Sequence, residues 1–452
     1  MTDKKTSSPI IVIFGITGDL SKRKLLPALY HLIKHDLLPE NTQIIGTSRK
    51  DLTTDELIST VELCVLEKDQ VCDPKVIEKI KNTWRTVKLN PNEKSDYKIL
   101  SALISENDPG EEKIHMFYMS VPATAYGPII SGLAANNLNK DNSRLLLEKP
   151  FGYDMKSAEE LIHLINQYFK EKQIYRIDHY LAKDTAQNLL AFRLHNPIFK
   201  PLWNSEHIQS IHVKALETIG IEGRVNFYEQ TGALRDFVQS HLMQLLSLVM
   251  MDLPQDMSSE ELHRVKQIFF EGLDPADPEK ALRAQYDSYK DEVKNDKSYT
   301  ETYARLILNH RSSTWDGTEI ILETGKAMAE KITVVTIEFK TPHERRRNSL
   351  TFHIQPNEGI SLDLVVKEPG LEDAMRHAEL NFSYNETFKD YEYIDAYERV
   401  LMDVVRGDQS LFASDREVLS TWKVLQGVLD KWQKNSDGLK IYSAGSKEIE
   451  LN

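Results

Sequence analysis

The chain has 452 residues, and its 56 Lys and Arg against 69 Asp and Glu give a formal net charge of −13. This length predicts about two or three domains, and the acidic balance lacks the excess of Lys and Arg that broad nucleic-acid binding requires, so we expect no nucleic-acid partner. No apolar run reaches the about 18 residues that span a membrane, and Cys64 and Cys72 match neither a zinc site nor a disulfide scaffold. We therefore expect no membrane partner, two packing cysteines and a cytoplasmic location.

The N-terminal part of the chain alternates short apolar segments with amphipathic ones. Strands are predicted at Ile10–Phe14, Gln43–Thr47, Ile114–Met119 and Arg144–Leu147, and helices at Leu25–Leu32, Glu56–Leu66, Lys75–Trp84 and Ala158–Phe169. This alternation predicts a doubly wound, Rossmann-like parallel sheet with helices on both faces. We assign residues 1–177 to this α/β nucleotide-binding domain.

The second part of the chain shows the alternation of exposed and buried residues that is typical of half-buried strands. Such strands are predicted at Ile208–Ala215, Ile332–Phe339, Leu350–Ile354 and Ile360–Val366, with flanking helices at Leu234–Met251 and Tyr397–Val404. We expect a larger α+β domain over 178–452, with a mostly antiparallel sheet flanked by helices. The basic run 345–347 is interpreted as a solvent-exposed loop, and the stretch from Asp437 onward as a polar tail.

A glycine turn lies between the first predicted strand and the first predicted helix. It contains Gly15, Thr17, Gly18, Asp19 and Leu20. A tight turn of this kind lets backbone N–H groups approach a pyrophosphate, and the following helix N-terminus adds partial positive charge. The pattern is shorter than the full dinucleotide fingerprint, but its position in an α/β domain favours a dinucleotide over an ordinary strand-to-helix turn.

The end of the second predicted strand indicates which dinucleotide is bound. An NAD site usually places an acidic residue there, whereas this chain has Arg49 followed by Lys50. A guanidinium suits a 2′-phosphate. We therefore expect NADP, with NAD as a weaker alternative.

Two later segments concentrate groups suited to acid–base chemistry and phosphate binding. The segment 176–184 brings a carboxylate, an imidazole, a phenol and an ammonium together before a predicted helix, whose N-terminus favours a phosphate. In the segment 228–241, Asp236 and His241 can both face one cleft from the same helix. No cluster has the composition and spacing of a metal site, so we expect no metal.

Seven motifs, in this order along the chain, resemble the glucose-6-phosphate dehydrogenase family. The resemblance runs from about Pro9 to Ser446, and several long motifs in one order are far more specific than any one of them. The motifs are Gly15–Leu20 with Lys24, Glu148–Gly152, Arg176–Tyr180, Thr231–His241, Gly325–Ala327, Ile354–Gly359 and Arg406–Asp408.

The resemblance implies a role for each matching position. It implies that His241 is the general base, that Asp178 orients it, and that Lys149 lies between sugar and nicotinamide. An imidazole with a pKa of about 6.5 suits proton removal at neutral pH. The other implied substrate residues are Lys24, His179, Tyr180, Lys183, Glu217, Asp236, Lys326 and Lys331, and the other implied cofactor residues are Gly15, Thr17, Gly18, Asp19, Leu20, Arg49 and Tyr118.

The resemblance also implies an activity: oxidation of glucose 6-phosphate to 6-phosphoglucono-1,5-lactone with NADP, the first step of the oxidative pentose phosphate pathway. It implies a homodimer through the second-domain sheet, or a dimer of dimers. Two alternatives stay open. Ala182 and Asp184 stand where the family commonly has Gly and Glu, which allows a different hexose 6-phosphate as substrate, and a catalytically silent sensor of NADP and sugar phosphate is the other alternative. Glu323 and Lys447 replace an Arg and a Trp of many members, so a second, structural nucleotide is not implied.

Overall fold

The computed structural model describes residues 8–69, 71–341, 347–389 and 394–449. Within these ranges the chain forms two compact units. The first comprises 8–69, 71–151, 159–182 and 394–415, and the second comprises 152–158, 183–341, 347–389 and 416–449. The first unit thus includes a segment that lies inside the second predicted domain, and the boundary at 177/178 stays a prediction. No helix in the described ranges has the length and apolar character needed to cross a membrane.

The first unit is built on the predicted parallel sheet. Numbered in chain order, its strands are β1 (Pro9–Phe14), β2 (Gln43–Ser48), β3 (Trp84–Lys88), β4 (Ile114–Met119), β5 (Ser143–Leu147), β6 (Ile174–Ile177) and β15 (Phe412–Ala413). Over the described residues the strand order is β15-β6-β5-β4-β1-β2-β3, and only the edge strand β15 runs antiparallel to its neighbour. Every residue of β1 is buried, as expected for a central strand covered on both faces.

Helices pack on this sheet as predicted, with shifts at their ends. The predicted helix 75–84 stops at Thr83, and Trp84 instead begins β3, an element that the sequence analysis missed. The helices are α1 (Leu26–Lys34), α2 (Thr54–Asp69), α3 (Pro74–Thr83), α4 (Lys94–Asn107), α5 (Tyr126–Ala135), α6 (Met155–Asn166, whose first turn belongs to the second unit) and α13 (Ala396–Arg406). A π-helical turn, Ser21–Leu25, precedes α1, and 3-10 turns form at Ala123–Ala125 and Glu171–Gln173.

The position of α13 corrects the prediction that this helix flanks the antiparallel sheet. Its apolar face joins the hydrophobic core of the first unit, where Tyr397, Val400, Leu401 and Val404 are buried. The spacing of apolar residues identifies the face of a helix that is buried, but not the sheet that covers it. Cys64 and Cys72 are partly buried against the same core, which agrees with packing roles.

The second unit contains the predicted, mostly antiparallel sheet. Its order over the described residues is β14-β13-β12-β11-β7-β10-β9-β8-β16, with parallel pairs only at β7–β10 and β8–β16. The strands are β7 (Ile208–Leu216), β8 (Leu282–Tyr286), β9 (Tyr303–Leu308), β10 (Glu319–Gly325), β11 (Ile332–Phe339), β12 (Ser349–Gln355), β13 (Gly359–Lys367), β14 (Met375–Ser383) and β16 (Leu439–Tyr442). The stretch from Asp437 is therefore not only a polar tail, because β16 extends the sheet and Tyr442 is buried in the core.

The helices of the second unit include one segment of uncommon geometry. The predicted helix 234–251 is observed in two parts, a π-helical segment Leu234–Leu242 followed by an α-helix, and π-helical geometry of this length is rare. The α-helices are α7 (Asp184–His195), α8 (Val225–Ala233), α9 (Met243–Met250), α10 (Ser259–Gly272), α11 (Tyr289–Val293), α12 (Tyr384–Thr387) and α14 (Asp415–Trp432, whose first residue belongs to the first unit), with a 3-10 segment at Pro197–Leu202. Of the basic run, residues 345 and 346 lie outside the described ranges, and Arg347 pairs with Glu338 at 3.0 Å.

Candidate active site

The predicted glycine turn joins β1 to the first helix at the carboxyl edge of the parallel sheet. Gly15 has a φ of 80°, and a Cβ at that position would lie 2.4 Å from the carbonyl oxygen of Ser120. The turn is closed by a 2.9 Å hydrogen bond that the amide of Gly18 donates to the carbonyl of Gly15. This close backbone passage, which a side chain would fill, fits a pyrophosphate-binding turn, and Thr17, Asp19 and Leu20 complete it.

Arg49 lies at the same edge of the sheet as this turn. It directly follows β2, which pairs with β1 so that Phe14 is opposite Thr47, and both Arg49 and Lys50 are exposed. Because parallel neighbouring strands end at the same edge, Arg49 and the glycine turn occupy one edge of the sheet. Asp19, which belongs to the glycine turn, is also largely exposed, and its carboxylate pairs with Arg23 at 2.8 Å.

A half-buried acid and a buried phenol lie at the carboxyl ends of β5 and β4, at the same edge of the sheet. The Tyr118 hydroxyl at the end of β4 donates a 2.5 Å hydrogen bond to the carboxylate of Glu148, which follows β5. Burial raises the pKa of Glu148 to about 7, although the Tyr118 hydroxyl and Lys149 act to lower it. Lys149 is half-buried, and its peptide bond to Pro150 is cis.

Asp178, His179 and Tyr180 follow β6 and continue this polar edge. Asp178 is 3% exposed, and its carboxylate accepts a 2.9 Å hydrogen bond from the amide of Tyr180. The His179 ring stacks on Tyr397 of α13, with 6.5 Å between centroids, and the exposed Lys24 has its ammonium 5.8 Å from the same phenol ring. Tyr397 therefore brings the predicted residues Lys24 and His179 together.

In the second unit, Glu217 and Lys326 form a close ion pair. They follow the neighbouring parallel strands β7 and β10, and Lys326 Nζ lies 2.5 Å from Glu217 Oε2. The Lys326 side chain is 3% exposed, and its ammonium lies 5.3 Å from the centroid of the Tyr228 ring. An aromatic face and a carboxylate together stabilise a buried ammonium.

His241 and Asp236 lie next to this ion pair on the π-helical segment. The Phe237 ring lies 5.9 Å from the Lys326 ammonium and 5.4 Å from the His241 ring, so it connects the two predicted residues. His241 is 1% exposed and Asp236 is 7% exposed. Burial, together with the neighbouring Asp236 carboxylate, raises the pKa of the Tyr228 phenol well above its usual value. The second unit thus assembles four predicted residues around two aromatic rings.

The remaining predicted substrate lysines have different surroundings. Lys183 is the N-cap residue of α7, and its ammonium donates a hydrogen bond to the side-chain oxygen of Gln355 at the end of β12. Lys331, which precedes β11, is exposed. Ala182 is not among the described non-glycine residues with positive φ, so its Cβ causes no backbone strain there.

Five residues to which the sequence assigned no role lie within these clusters. Glu148, Phe237 and Gln355 belong to motifs named above, and that membership was the available signal. The other two, Tyr228 and Tyr397, were visible only as core aromatics, because the sequence does not show which polar group a buried ring will meet. No group of three or more His, Cys, Asp or Glu in the described ranges is arranged to hold a metal ion.

Family models divide the chain into two matched regions. A model described as glucose-6-phosphate dehydrogenase, NAD binding domain, matches residues 12–188, and one described as glucose-6-phosphate dehydrogenase, C-terminal domain, matches residues 190–450. The chain belongs to the glucose-6-phosphate dehydrogenase family. The first match shows that the glycine turn lies in a dinucleotide-binding domain of this family.

Full-length relatives agree with this assignment. The glucose-6-phosphate 1-dehydrogenase of Mycolicibacterium smegmatis is 35% identical, over 98% of this chain and 95% of the relative. A cytoplasmic glucose-6-phosphate 1-dehydrogenase of Arabidopsis thaliana is 33% identical, over 98% of this chain and 90% of the relative.

Solved structures of the family share the fold of this chain. A glucose-6-phosphate dehydrogenase in complex with its substrate glucose-6-phosphate aligns with a TM-score of 0.92 at 30% identity, over 100% of this chain and 97% of that one. The Mycobacterium avium glucose-6-phosphate 1-dehydrogenase aligns with a TM-score of 0.88 at 31% identity, over 98% of this chain and 95% of that one.

Proposed function

We propose that this chain oxidises glucose 6-phosphate to 6-phosphoglucono-1,5-lactone with NADP, the first step of the oxidative pentose phosphate pathway. The observation that carries the proposal is the cluster in the second unit, where the Phe237 ring contacts both His241 and the Lys326–Glu217 pair. It combines a buried imidazole with charged groups that suit sugar hydroxyls. Membership of the family supplies the reaction class.

His241 is the proposed general base. Oxidation at C1 of the sugar requires the hydroxyl proton to leave the oxygen as hydride leaves the carbon, and an imidazole nitrogen can accept that proton at neutral pH. Asp178 is proposed to hold the imidazole in the required tautomer and to stabilise the imidazolium that forms. The nicotinamide dinucleotide supplies the hydride acceptor, which no side chain can provide.

The substrate residues divide by chemistry. His179, Tyr180 and Lys183 are proposed to bind the phosphate, while Glu217 and Asp236 are proposed to bind sugar hydroxyls. The substrate lysines proposed are Lys24, Lys149, Lys326 and Lys331. Support for Lys326 comes from its 2.5 Å contact with Glu217, which can fix that carboxylate before substrate binds.

NADP is proposed over NAD because of the residue beside the glycine turn. The exposed Arg49 at the end of β2 offers the planar donors that a 2′-phosphate prefers, and Lys50 adds a second positive charge. Tyr118 and Lys149 are proposed to lie near the nicotinamide. A cytoplasmic location is also proposed, supported by the low cysteine content and by the cytoplasmic relative from Arabidopsis.

A homodimer through the second sheet, or a dimer of dimers, is proposed for the assembly. The support is membership of the family. Size-exclusion chromatography with light scattering tests it, with twice or four times the chain mass expected, and the mass of a single chain at micromolar concentration contradicts it.

The activity is tested by mixing the purified protein with NADP or NAD and a panel of hexose 6-phosphates while the absorbance of the reduced nicotinamide is followed. Glucose 6-phosphate with NADP is expected to give the highest kcat/KM. A higher kcat/KM for an epimer assigns a different hexose 6-phosphate. Binding of NADP and glucose 6-phosphate without reduction establishes the silent sensor instead.

A further inference from the structure

The helix that carries Asp236 and His241 begins directly after a residue whose backbone dihedral angles are not helical. Gly232, near the end of α8, has φ 60° and ψ −176°, which lie outside the helical region. The first amides after such a residue have no acceptor within the helix, because the preceding carbonyls point elsewhere. The start of the π-helical segment therefore requires hydrogen-bond acceptors from another part of the chain.

Glu301 supplies two of these acceptors. Its backbone carbonyl accepts a hydrogen bond from the amide of Ala233 at 2.9 Å, and its Oε1 accepts one from the amide of Leu234, also at 2.9 Å. The residue is 5% exposed and lies shortly before β9. A buried amide that loses its acceptor is costly, so these contacts fix where the segment starts.

The shape of the backbone at Gly232 matches the carboxyl group of Glu301. A Cβ on Gly232 would lie 2.4 Å from Glu301 Oε1 and 2.7 Å from Oε2, so the carboxyl group occupies the space that the missing side chain leaves. The positive φ of Gly232 also disfavours any other residue there. Gly232 and Glu301 are therefore complementary in shape at the start of the π-helical segment.

The same strand end also holds the backbone of Lys326. The carbonyl of Thr302 accepts a 2.9 Å hydrogen bond from the amide of Lys326, whose own carbonyl accepts one of 2.6 Å from the Tyr442 hydroxyl. The Thr302 hydroxyl lies 2.9 Å from the same Tyr442 oxygen. Two consecutive residues, Glu301 and Thr302, thus contact both the helix that carries His241 and the turn that carries Lys326.

We infer that Glu301 is a positioning residue, which caps the π-helical segment and sets the distance of Asp236 and His241 from Lys326. The inference rests on the proposed function, because that function assigns these three residues to the sugar and its proton. Displacement of a reacting group by about 1 Å can cost about 100-fold in rate, so a defect in the cap is expected in kcat/KM rather than only in folding.

The hydrogen bonds of the cap need an accepting oxygen within reach, which a neutral amide oxygen can also provide. Burial raises the pKa of Glu301, while Arg235, the Leu234 amide and Arg283 act to lower it. Glu301→Gln keeps an accepting oxygen at the same distance and removes the charge. Glu301→Asp keeps the charge and withdraws the carboxylate by one methylene. These two variants separate reach from charge with little change in volume.

The test compares the kinetics of these two variants with those of the unaltered enzyme, using glucose 6-phosphate and NADP. Glu301→Asp is expected to lower kcat/KM roughly 10- to 100-fold, whereas Glu301→Gln stays within about threefold of the unaltered enzyme. The ring Cε1–H resonance of His241, assigned with a His241→Asn variant, is expected to shift in Glu301→Asp and not in Glu301→Gln. Glu292→Asp, which shortens an exposed carboxylate bound to Tyr286, is the control and should change neither readout.

Equal kcat/KM values for Glu301→Asp and the unaltered enzyme overturn the inference, and so does a Glu301→Gln that is as impaired as Glu301→Asp. If the proposed function is wrong, the unaltered protein itself reduces no NADP. That result is distinct from any difference between the Glu301 variants. In that case the His241 resonance still decides the positioning role, since it needs no turnover.

Discussion

The candidate general base combines near-complete burial with contacts to a phenylalanine ring and, through it, to a lysine–glutamate pair. Burial removes competing water from the imidazole, and the helix fixes its direction. This burial and fixed direction support the proposed role of His241 as the base that accepts the proton.

Replacement of His241 by Asn is expected to lower kcat by about 10²–10⁴ while the KM for glucose 6-phosphate changes little, because an amide cannot accept the proton but occupies similar space. The control is His163→Asn, which alters an exposed histidine of α6. Steady-state kinetics of the two variants and the unaltered enzyme measures the difference. A variant that keeps kcat but loses substrate binding would contradict the assignment of His241 as the base.

Arg49→Ala is expected to weaken NADP binding roughly 10- to 100-fold and NAD binding far less, because only NADP carries the 2′-phosphate that the guanidinium can bind. Fluorescence titration with both dinucleotides measures the two Kd values. The matched control is Lys88→Ala at the end of the neighbouring strand β3, where an exposed lysine pairs with Asp51 at 3.0 Å. Equal losses for both dinucleotides would remove Arg49 as the selectivity residue.

The sequence identified most candidate residues but few of their pairings. Glu217 and Lys326 were both predicted to bind substrate, and nothing in their spacing showed that they contact each other, because that contact depends on the parallel pairing of β7 with β10. Tyr397 is a similar case. Its position in an amphipathic helix predicted only a buried face, whereas its ring stacks on His179.

A buried polar network connects α9, which directly follows the π-helical segment of His241, to α10 and α14. Glu417 of α14 is fully buried and lies 2.9 Å from Lys266 and 2.7 Å from His263, both on α10, and it accepts a hydrogen bond from Gln244 of α9. Burial alone would raise the pKa of Glu417, but Lys266 and His263 outweigh that effect, so the pKa lies well below its usual range.

Glu417→Gln is expected to destabilise the protein by about 3–5 kcal/mol at neutral pH, because it leaves the Lys266 ammonium buried without its counter-charge. The folded-state pKa of Glu417 is lowered, so the stabilisation is complete above the unfolded value near 4.5 and is lost as the pH falls below it. Urea unfolding at neutral and acidic pH measures this, and the difference between the two proteins should shrink at acidic pH.

The control for that experiment is a surface ion pair. Glu279 pairs with Lys431 at 2.8 Å, and its own side chain is 80% exposed, so Glu279→Gln is expected to cost less than about 1 kcal/mol. A Glu417→Gln variant that unfolds at the same urea concentration as the control would show that the buried network contributes no net stability.

The fold was predictable where the hydrophobic period was clear. β4 begins and ends where the apolar run 114–119 predicted, whereas β3 was missed because its five residues follow α3 without any turn signal. The π-helical segment 234–242 was predicted only as a helix, since the period of apolar residues does not distinguish hydrogen-bond patterns that differ by one residue.

The first unit is discontinuous along the chain. The segment 394–415 comes after almost the whole second unit in sequence, yet α13 completes the core of the first unit and β15 pairs with β6 at the edge of its sheet. An N-terminal fragment is therefore an incomplete folding unit, although a family model matches residues 12–188 as a domain.

A fragment of residues 1–182 is expected to aggregate or to unfold at low denaturant concentration, whereas the same fragment joined by a flexible linker to residues 394–415 should fold cooperatively and bind NADP. The physical reason is the buried face of α13, which consists of Tyr397, Val400, Leu401, Val404 and Val405. At about 1.5–3 kcal/mol for each fully buried side chain, this face contributes up to roughly 8–15 kcal/mol, as much as the whole stability of a typical domain. Circular dichroism, urea unfolding and NADP titration of both fragments measure the difference, and equal stability of the two would show that the core of the first unit does not need α13.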